Sequence, residues 1–408
     1  MNCRGCNSEL MITFIDLGVS PIANNLIDID HLGLKEPSLP LHVRTCVSCG
    51  FVQLPEVSSR GHLFPNDYSY HSSYSSSWLK HCQTYVRKMV KKLGLSEKDF
   101  VVEVASNDGY LLQYFRGSDV RVLGIEPAAH VANVAVQERG IPTIVDFFGK
   151  TSAETLLLTY QKPTLVIANN VLAHVPDVHD FISGFSTLIA DEGVITFEFP
   201  HLLNLILLNQ FDTIYHEHYS YLSLTALKPI FETHGLRIFD VENLPTHGGS
   251  LRVYVCKKDS SWVEDASVQK CLDSEAPLDP RLEHVSRNVQ LKSQKVKQDL
   301  LDEVSRAKDS GLRIAAYGAA AKGNTLLNFV GLTADVVEYV IDLNPHKQNK
   351  YLPGSRIPVF GENHLRNNPP DILLILPWNL AEEIGDQLEY LRSLGVKFLR
   401  AIPSLEYF

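Results

Sequence analysis

Nine residues near the middle of the chain, Tyr215-His216-Glu217-His218-Tyr219-Ser220-Tyr221-Leu222-Ser223, set two imidazoles and a carboxylate among phenols. Side chains of these types support three roles. His-x-His with Glu can ligate a metal. An imidazole can take or give a proton near neutral pH while a phenol donates to a developing oxyanion. The same residues can also form an aromatic loop that caps a sheet. The surroundings must say which, because such groups are interpreted by the ligand they face.

A second constellation lies at the N-terminus, where Cys3 and Cys6 form one C-x2-C knuckle and Cys46 and Cys49 another. Each knuckle presents two thiolates to one ion from a tight turn, and four sulfur ligands make a closed tetrahedral zinc site, structural rather than catalytic. The chain has seven cysteines, so any all-disulfide scheme leaves one over. With zinc accounted for here, and no second group of acids or histidines at ligand spacing, metal becomes the minority reading of the central stretch.

Two further segments have the form of nucleotide-site turns. VEVASNDGYL carries Glu103, then Ser106-Asn107-Asp108-Gly109 between an apolar strand and a helix expected to begin near Tyr110, and the next strand ends at Glu126-Pro127. An acid at that strand end can accept both ribose hydroxyls of an adenosine. The missing G-x-G-x-x-G weakens a pyrophosphate role and leaves S-adenosylmethionine as the better fit. Asp146-Phe147, Asn169-Asn170 and His174 follow at the ends of later strands. YGAAAKGN, from Tyr317 and Gly318 through Lys322 to Asn324, opens another helix whose free N–H groups suit a nucleotide diphosphate. Asp342 and Asn344 end the strand after it. THGGSLRVYV offers Ser250 and Arg252 as anion contacts or simply a hairpin; the Gly-Gly turn favours the hairpin.

These residues require α/β elements to hold them. Alternating apolar strands and helices predict a mainly parallel, doubly wound sheet with ligands at the carboxyl ends of its strands. The charged stretch from about 260 to 310 reads as one long amphipathic helix after a loop, and a second, smaller Rossmann-like domain follows. The expected division is a zinc module at 1–72, an S-adenosylmethionine-binding domain at 73–258, a helical connector at 259–308 and the Rossmann-like domain at 309–408. A chain of 408 residues supports several such cores. A formal charge of −10 argues against nucleic acid as a partner. No apolar run reaches the 18 or so residues a membrane span needs, and no secretion leader is visible, so the expectation is cytoplasmic residence without membrane association.

CRGC with CVSC, YSYHSSYSSSW, EVASNDGYLL, GIEPA, NNVLAHVPD, FEFPHL, TIYHEHYSYLS, THGGSLRVY and YGAAAKGNTLLNF occur in that order. With this set the whole chain resembles the sugar C-methyltransferases that act on nucleotide-linked 4-keto-6-deoxyhexoses. The resemblance implies S-adenosylmethionine and structural zinc as cofactors, and a dTDP- or GDP-type sugar as substrate. It implies that His218 is the base at carbon 3, that Tyr215 and Glu217 line the same pocket, and that His174 and Tyr70, with Tyr68 a near alternative, complete it. One departure is EVASNDG, where relatives more often carry Gly or Cys; Ala105 and Ser106 are small enough for cofactor binding to survive. The competing readings are an RNA base methyltransferase with a zinc module and a non-catalytic zinc-ribbon scaffold. The expected state is a monomer or weak oligomer.

Overall fold

A computed structural model describes residues 2–56 and 72–408. Tyr68 and Tyr70 lie outside the described residues. The chain forms two compact units: Met1–Leu10, Cys46–Leu202 and Tyr219–Asp279 in the first, Met11–Thr45, Leu203–His218 and Pro280–Phe408 in the second. This partition interleaves the segments expected from sequence. Most of the stretch between the cysteine knuckles, and the loop bearing Tyr215–His218, belong with the C-terminal half.

The first unit is built on a seven-stranded sheet. Counted along the chain from Phe100–Val104, its strands lie in the order 3-2-1-4-5-7-6, the first five parallel and the seventh, Ser250–Lys257, antiparallel to its neighbours. Phe100–Val104 and Leu165–Asn169 are buried throughout, as continuous apolar strands covered on both faces must be. Helix Ser76–Leu93 buries Cys82, Tyr85, Val86 and Met89, the spacing of one helical face. Ser75 accepts the Trp78 N–H at its start and left-handed Gly94 ends it.

Two expectations change. The element after the cofactor turn is a 3-10 helix, Leu112–Ser118, not an α-helix from Tyr110. The next connection in the same sheet, of similar length, carries the α-helix Ala129–Arg139. The connector carries the expected long helix, Glu283–Asp309, with a shorter helix where a loop was expected. Ala266–Glu275, capped by Asp265, precedes Glu283–Asp309, and Pro277 and Pro280 lie in the break.

In the second unit a six-stranded sheet begins at Ile314–Tyr317 and runs 3-2-1-4-5-6, parallel except for the last strand, Glu406–Tyr407. This is the doubly wound order. Ala315, Tyr317, Ile341, Leu373, Ile375 and Phe398 form part of its core. No helix among the described residues is long and apolar enough to cross a membrane.

Candidate functional site

The four knuckle cysteines converge in the first unit. Their sulfurs all lie within 4.8 Å of one another, with Cys3 to Cys49 at 3.6 Å and Cys6 to Cys46 at 3.5 Å. Disulfide sulfurs would stand about 2.05 Å apart. A tetrahedral ion about 2.3 Å from each sulfur separates them by about 3.8 Å, so the cluster fits zinc. The Cys3 sulfur accepts from Gly5 N–H and from Gln53 Nε2, each at 3.3 Å. Hydrogen bonding from Cys49 and these donors, against burial, lowers the Cys3 thiol to about 4. The knuckle also braces the strand that follows the YHEH loop: Arg4 donates to the carbonyls of Leu54, at 2.9 Å, and Tyr219, while Val52 pairs with Tyr221.

At the cofactor turn, Ala105, Asn107 and Gly109 all take left-handed backbone, with φ of 57°, 49° and 77°. Both oxygens of Glu126 close the turn, accepting Asn107 N–H at 3.0 Å and Ala128 N–H at 2.9 Å. Burial raises the Glu126 carboxyl above its ordinary range. A Cβ on Gly124 would stand 2.3 Å from Ser106 Oγ, so glycine there lets the turn sit on the second strand. Beneath it Glu103 is fully buried, and burial pushes its carboxyl well up, with Tyr110 opposing. Asn107 Oδ1 accepts Ser72 N–H at 2.9 Å, Asp108 accepts Ser73 Oγ at 2.5 Å, and Arg139 pairs with Asp108 at 3.4 Å. At the same edge of the sheet Ser106 Oγ, both polar side-chain atoms of Asn169 and Oδ1 of Asn170 are buried with no hydrogen-bond partner among the described residues. Such orphaned groups at the carboxyl ends of strands suit a polar nucleoside such as S-adenosylmethionine. Pro127 is half-buried, and Asp146 and Phe147 are exposed after Thr143–Ile144. His174 ends the 3-10 turn Leu172–His174 and is half-buried; the Ala173 carbonyl before it accepts Tyr219 N–H at 2.8 Å.

Ser250 and Arg252, offered by sequence as substrate contacts, are instead engaged inside the first unit's sheet. They lie in a β-hairpin strand, as the Gly-Gly turn suggested. Ser250 Oγ donates to Thr246 O at 3.0 Å. Arg252 is 2% exposed, reaches Glu198 at 2.5 Å and Glu242 at 3.2 Å, and lies over the Tyr85 ring. Burial opposes ionisation of Glu198, but His81 and Arg252 hold it down at about 2.

The YHEH loop belongs to the second unit. His218 Nδ1 lies 2.8 Å from Thr213 O, and a carbonyl only accepts, so Nδ1 carries the hydrogen. Nε2 is then the basic nitrogen, and it accepts from the Tyr215 hydroxyl at 2.8 Å, with the two rings 4.0 Å apart. His216 and Glu217 are buried and tied to residues before the second knuckle. His216 Nε2 donates to Leu39 O at 3.2 Å, and burial lowers its pKa. Glu217 accepts Asn24 Nδ2 at 3.0 Å, and burial pushes its carboxyl up to about 7.

The C-terminal turn is spent largely on packing. Cβ atoms at Gly318 and Gly323 would stand 2.5 Å from Pro377 and 2.7 Å from Leu376. Asp342 accepts Ala319 N–H at 2.9 Å and Asn344 N–H at 2.8 Å, and Lys347 pairs with it at 3.5 Å. Lys322, expected on a phosphate, directs its ammonium to Asn379 Oδ1 at 2.9 Å and over the Trp378 ring at 4.7 Å. Tyr317 is buried, its phenol pushed up to about 12 by burial. Asn324 is 1% exposed with both polar atoms unpartnered among the described residues.

Sequence reading missed Asp212, Thr213, Asn24 and Trp378. Asp212 alone carried a signal, a lone acid in the apolar run three residues before Tyr215.

Family models match three segments: "Putative zinc binding domain" at 3–64, "Methyltransferase domain" at 78–241 and "C-methyltransferase C-terminal domain" at 245–403. Among solved structures the chain is similar to magnesium protoporphyrin IX methyltransferase of Synechocystis PCC 6803 with bound SAH, at 16% identity over 44% of this chain and 83% of that one, with a TM-score of 0.36. It is also similar to the PH0226 protein of Pyrococcus horikoshii OT3, at 13% identity over 48% and 98%, with a TM-score of 0.39. The C-methyltransferase NovU of Streptomyces niveus is 35% identical over 402 residues, 98% of this chain and 95% of its own. Identity at that level along nearly the full length of both chains, with a cysteine cluster fit for zinc and a turn fit for the methyl donor, makes this protein a member of the S-adenosylmethionine-dependent C-methyltransferase family.

Proposed function

We propose that the protein methylates carbon 3 of a nucleotide-linked 4-keto-6-deoxy sugar of the dTDP or GDP type, giving a branched deoxysugar. The observation that carries this reading is the state of His218. Thr213 O holds the hydrogen on Nδ1 and leaves Nε2, paired with a phenol, as a base. A C–H bond beside a ketone is acidic enough for such a base. His218 takes the carbon-3 proton, and the electron pair becomes an enolate. His174, Tyr215 or Tyr70 donates a hydrogen bond to the enolate oxygen. When bound, S-adenosylmethionine supplies an electrophilic methyl group. That methyl would pass to carbon 3, and His218 would release the proton it took to solvent. Ser106, Asn107, Glu126, Asn169 and Asn170 would orient the cofactor, and Asn324, Tyr317, Asp342 and Asn344 remain candidates for the sugar nucleotide. Mechanistically this asks of the protein a placed base, a dry oxyanion site and alignment of two carbons.

Incubation with S-adenosylmethionine and a panel of nucleotide 4-keto-6-deoxy sugars tests it. A mass gain of about 14 daltons, one methylene per sugar, is expected for a member of the panel. Running the panel in deuterated water without the donor adds a second readout, washout of the carbon-3 hydrogen. A panel with neither methylation nor washout overturns the reading.

A further inference from the structure

The loop that carries His218 is fastened by a buried cluster with no part in methyl transfer as described above. The 3-10 turn Phe211–Thr213 is almost wholly buried, with Asp212 0% exposed. Trp378 Nε1 donates to Asp212 Oδ2 at 2.7 Å. The Lys322 ammonium lies over the face of the same indole and is held by Asn379. Burial lowers Lys322 and raises Asp212 to about 7, and each opposes the other's shift by its charge. Two more contacts seat the turn on helix Ala321–Val330: the Phe211 ring meets Phe329 at 5.2 Å, and Thr325 Oγ1 donates to Ile214 O at 3.0 Å. The carbonyl that ends this turn, Thr213 O, is the one that accepts the His218 Nδ1 hydrogen at 2.8 Å.

The small residues of YGAAAKGN acquire a purpose from this arrangement. Gly323 brings the helix against Leu376, two residues before Trp378, so that Lys322, Trp378 and Asp212 can meet. We propose that Asp212 is a positioning residue for His218, clamped by Trp378 and Lys322 so that Thr213 O keeps the imidazole in its Nδ1–H tautomer. The inference rests on the reading of His218 as the base. It assigns Lys322 to organising the base rather than to gripping a phosphate. A misplacement of about 1 Å can cost a base on the order of a hundredfold in turnover.

The test compares Asp212→Ala, Asp212→Asn and Trp378→Phe with His218→Asn. Turnover is measured on whichever sugar of the panel is methylated, and the His218 tautomer is read by histidine-selective NMR with S-adenosylhomocysteine bound. Asp212→Ala should lower kcat roughly tenfold or more with KM for S-adenosylmethionine unchanged. Loss of the carbonyl that favours the imidazolium lowers the base's pKa, so the acidic limb of kcat should move to lower pH. NMR should show an Nε2–H population absent from the parent. Asp212→Asn keeps an acceptor for the indole and should recover most of kcat. A folded Asp212→Ala protein with parental kcat, limb and tautomer overturns the inference; if it does not fold, Trp378→Phe carries the same expectations and the same overturning result. If His218→Asn itself turns over normally, the base assignment falls. If His218→Asn is inactive while the Asp212 and Trp378 variants match the parent, only the positioning inference falls.

Discussion

The two doubly wound sheets close their first loop in the same way and put the result to different use. In one, Ser106 N–H bonds to Ile125 O and Glu126 accepts Asn107 N–H and Ala128 N–H. In the other, Gly318 N–H bonds to Ile341 O, and Asp342 accepts Ala319 N–H and Asn344 N–H. The acid at the tip of the second strand therefore serves the fold in both. What surrounds it differs. Glu126 has backbone donors and a buried carboxyl raised in pKa, beside orphaned Ser106 and Asn169. Asp342 has Lys347 at 3.5 Å, and the loop it closes is packed against Pro377. A shared backbone device thus marks a fold, and the unspent polar groups around it, Ser106 and Asn169 in one unit and Asn324 in the other, mark where a ligand would add its own partners.

The largest expected effect separates the halves by function. His218→Ala or His218→Asn should reduce turnover by roughly a hundredfold or more, the scale of general-base catalysis, with S-adenosylmethionine affinity held within a few-fold. Lost cofactor affinity with unchanged turnover would remove His218 from the role. Next, Glu126→Ala should abolish measurable cofactor binding by calorimetry, while Asp342→Ala should leave that affinity unchanged and cost the second unit about 1–3 kcal/mol through its uncapped amides. Equal losses of cofactor affinity from the two would break the comparison.

A smaller effect is pH. Asp212 and Glu217, both raised to about 7 from ordinary values of 3.8 and 4.5, hold protons in the folded state that the unfolded chain has already released. Their contribution to stability is full below those ordinary values and is lost as pH rises through about 7. Glu198, held at about 2, has the opposite sign: its contribution is present above pH 4.5 and lost as pH falls towards 2. Thermal melts should therefore show the unit bearing the YHEH loop weakening between about pH 4 and 7 and levelling above, and Asp212→Asn with Glu217→Gln should flatten that slope. The smallest effect concerns Ala105. Left-handed alanine carries roughly 1 kcal/mol of strain, so Ala105→Gly should raise the melting temperature slightly without loss of cofactor binding. A fall would show that the turn uses the alanine methyl.

Which features could be read beforehand follows from the range of the forces involved. The cysteine knuckles, the strand-turn-strand acid pattern and the Gly-Gly hairpin are local, each set by a few neighbouring residues, and each appears where its spacing implied. The 3-10 form of the helix after the cofactor turn was not legible in the spacing of its apolar residues. Lys322 and Arg252 were read as anion contacts from their residue type, and their burial beside Asp212 and Glu198 could not be seen in the order of residues.

The sequence alone established the α/β class, the four thiolates and the family, because local spacing and a long ordered set of motifs carry that information. The tertiary structure decided the state of the central stretch. Asn24 reaches Glu217 across 193 residues, and Trp378 reaches Asp212 across 166. Contacts that distant, made in a buried setting where unpaired polar groups are costly, tie His216 through Nε2 to the Leu39 carbonyl 177 residues away, while His218 bonds the Thr213 carbonyl five residues before it through Nδ1, and so distinguish His216 from His218.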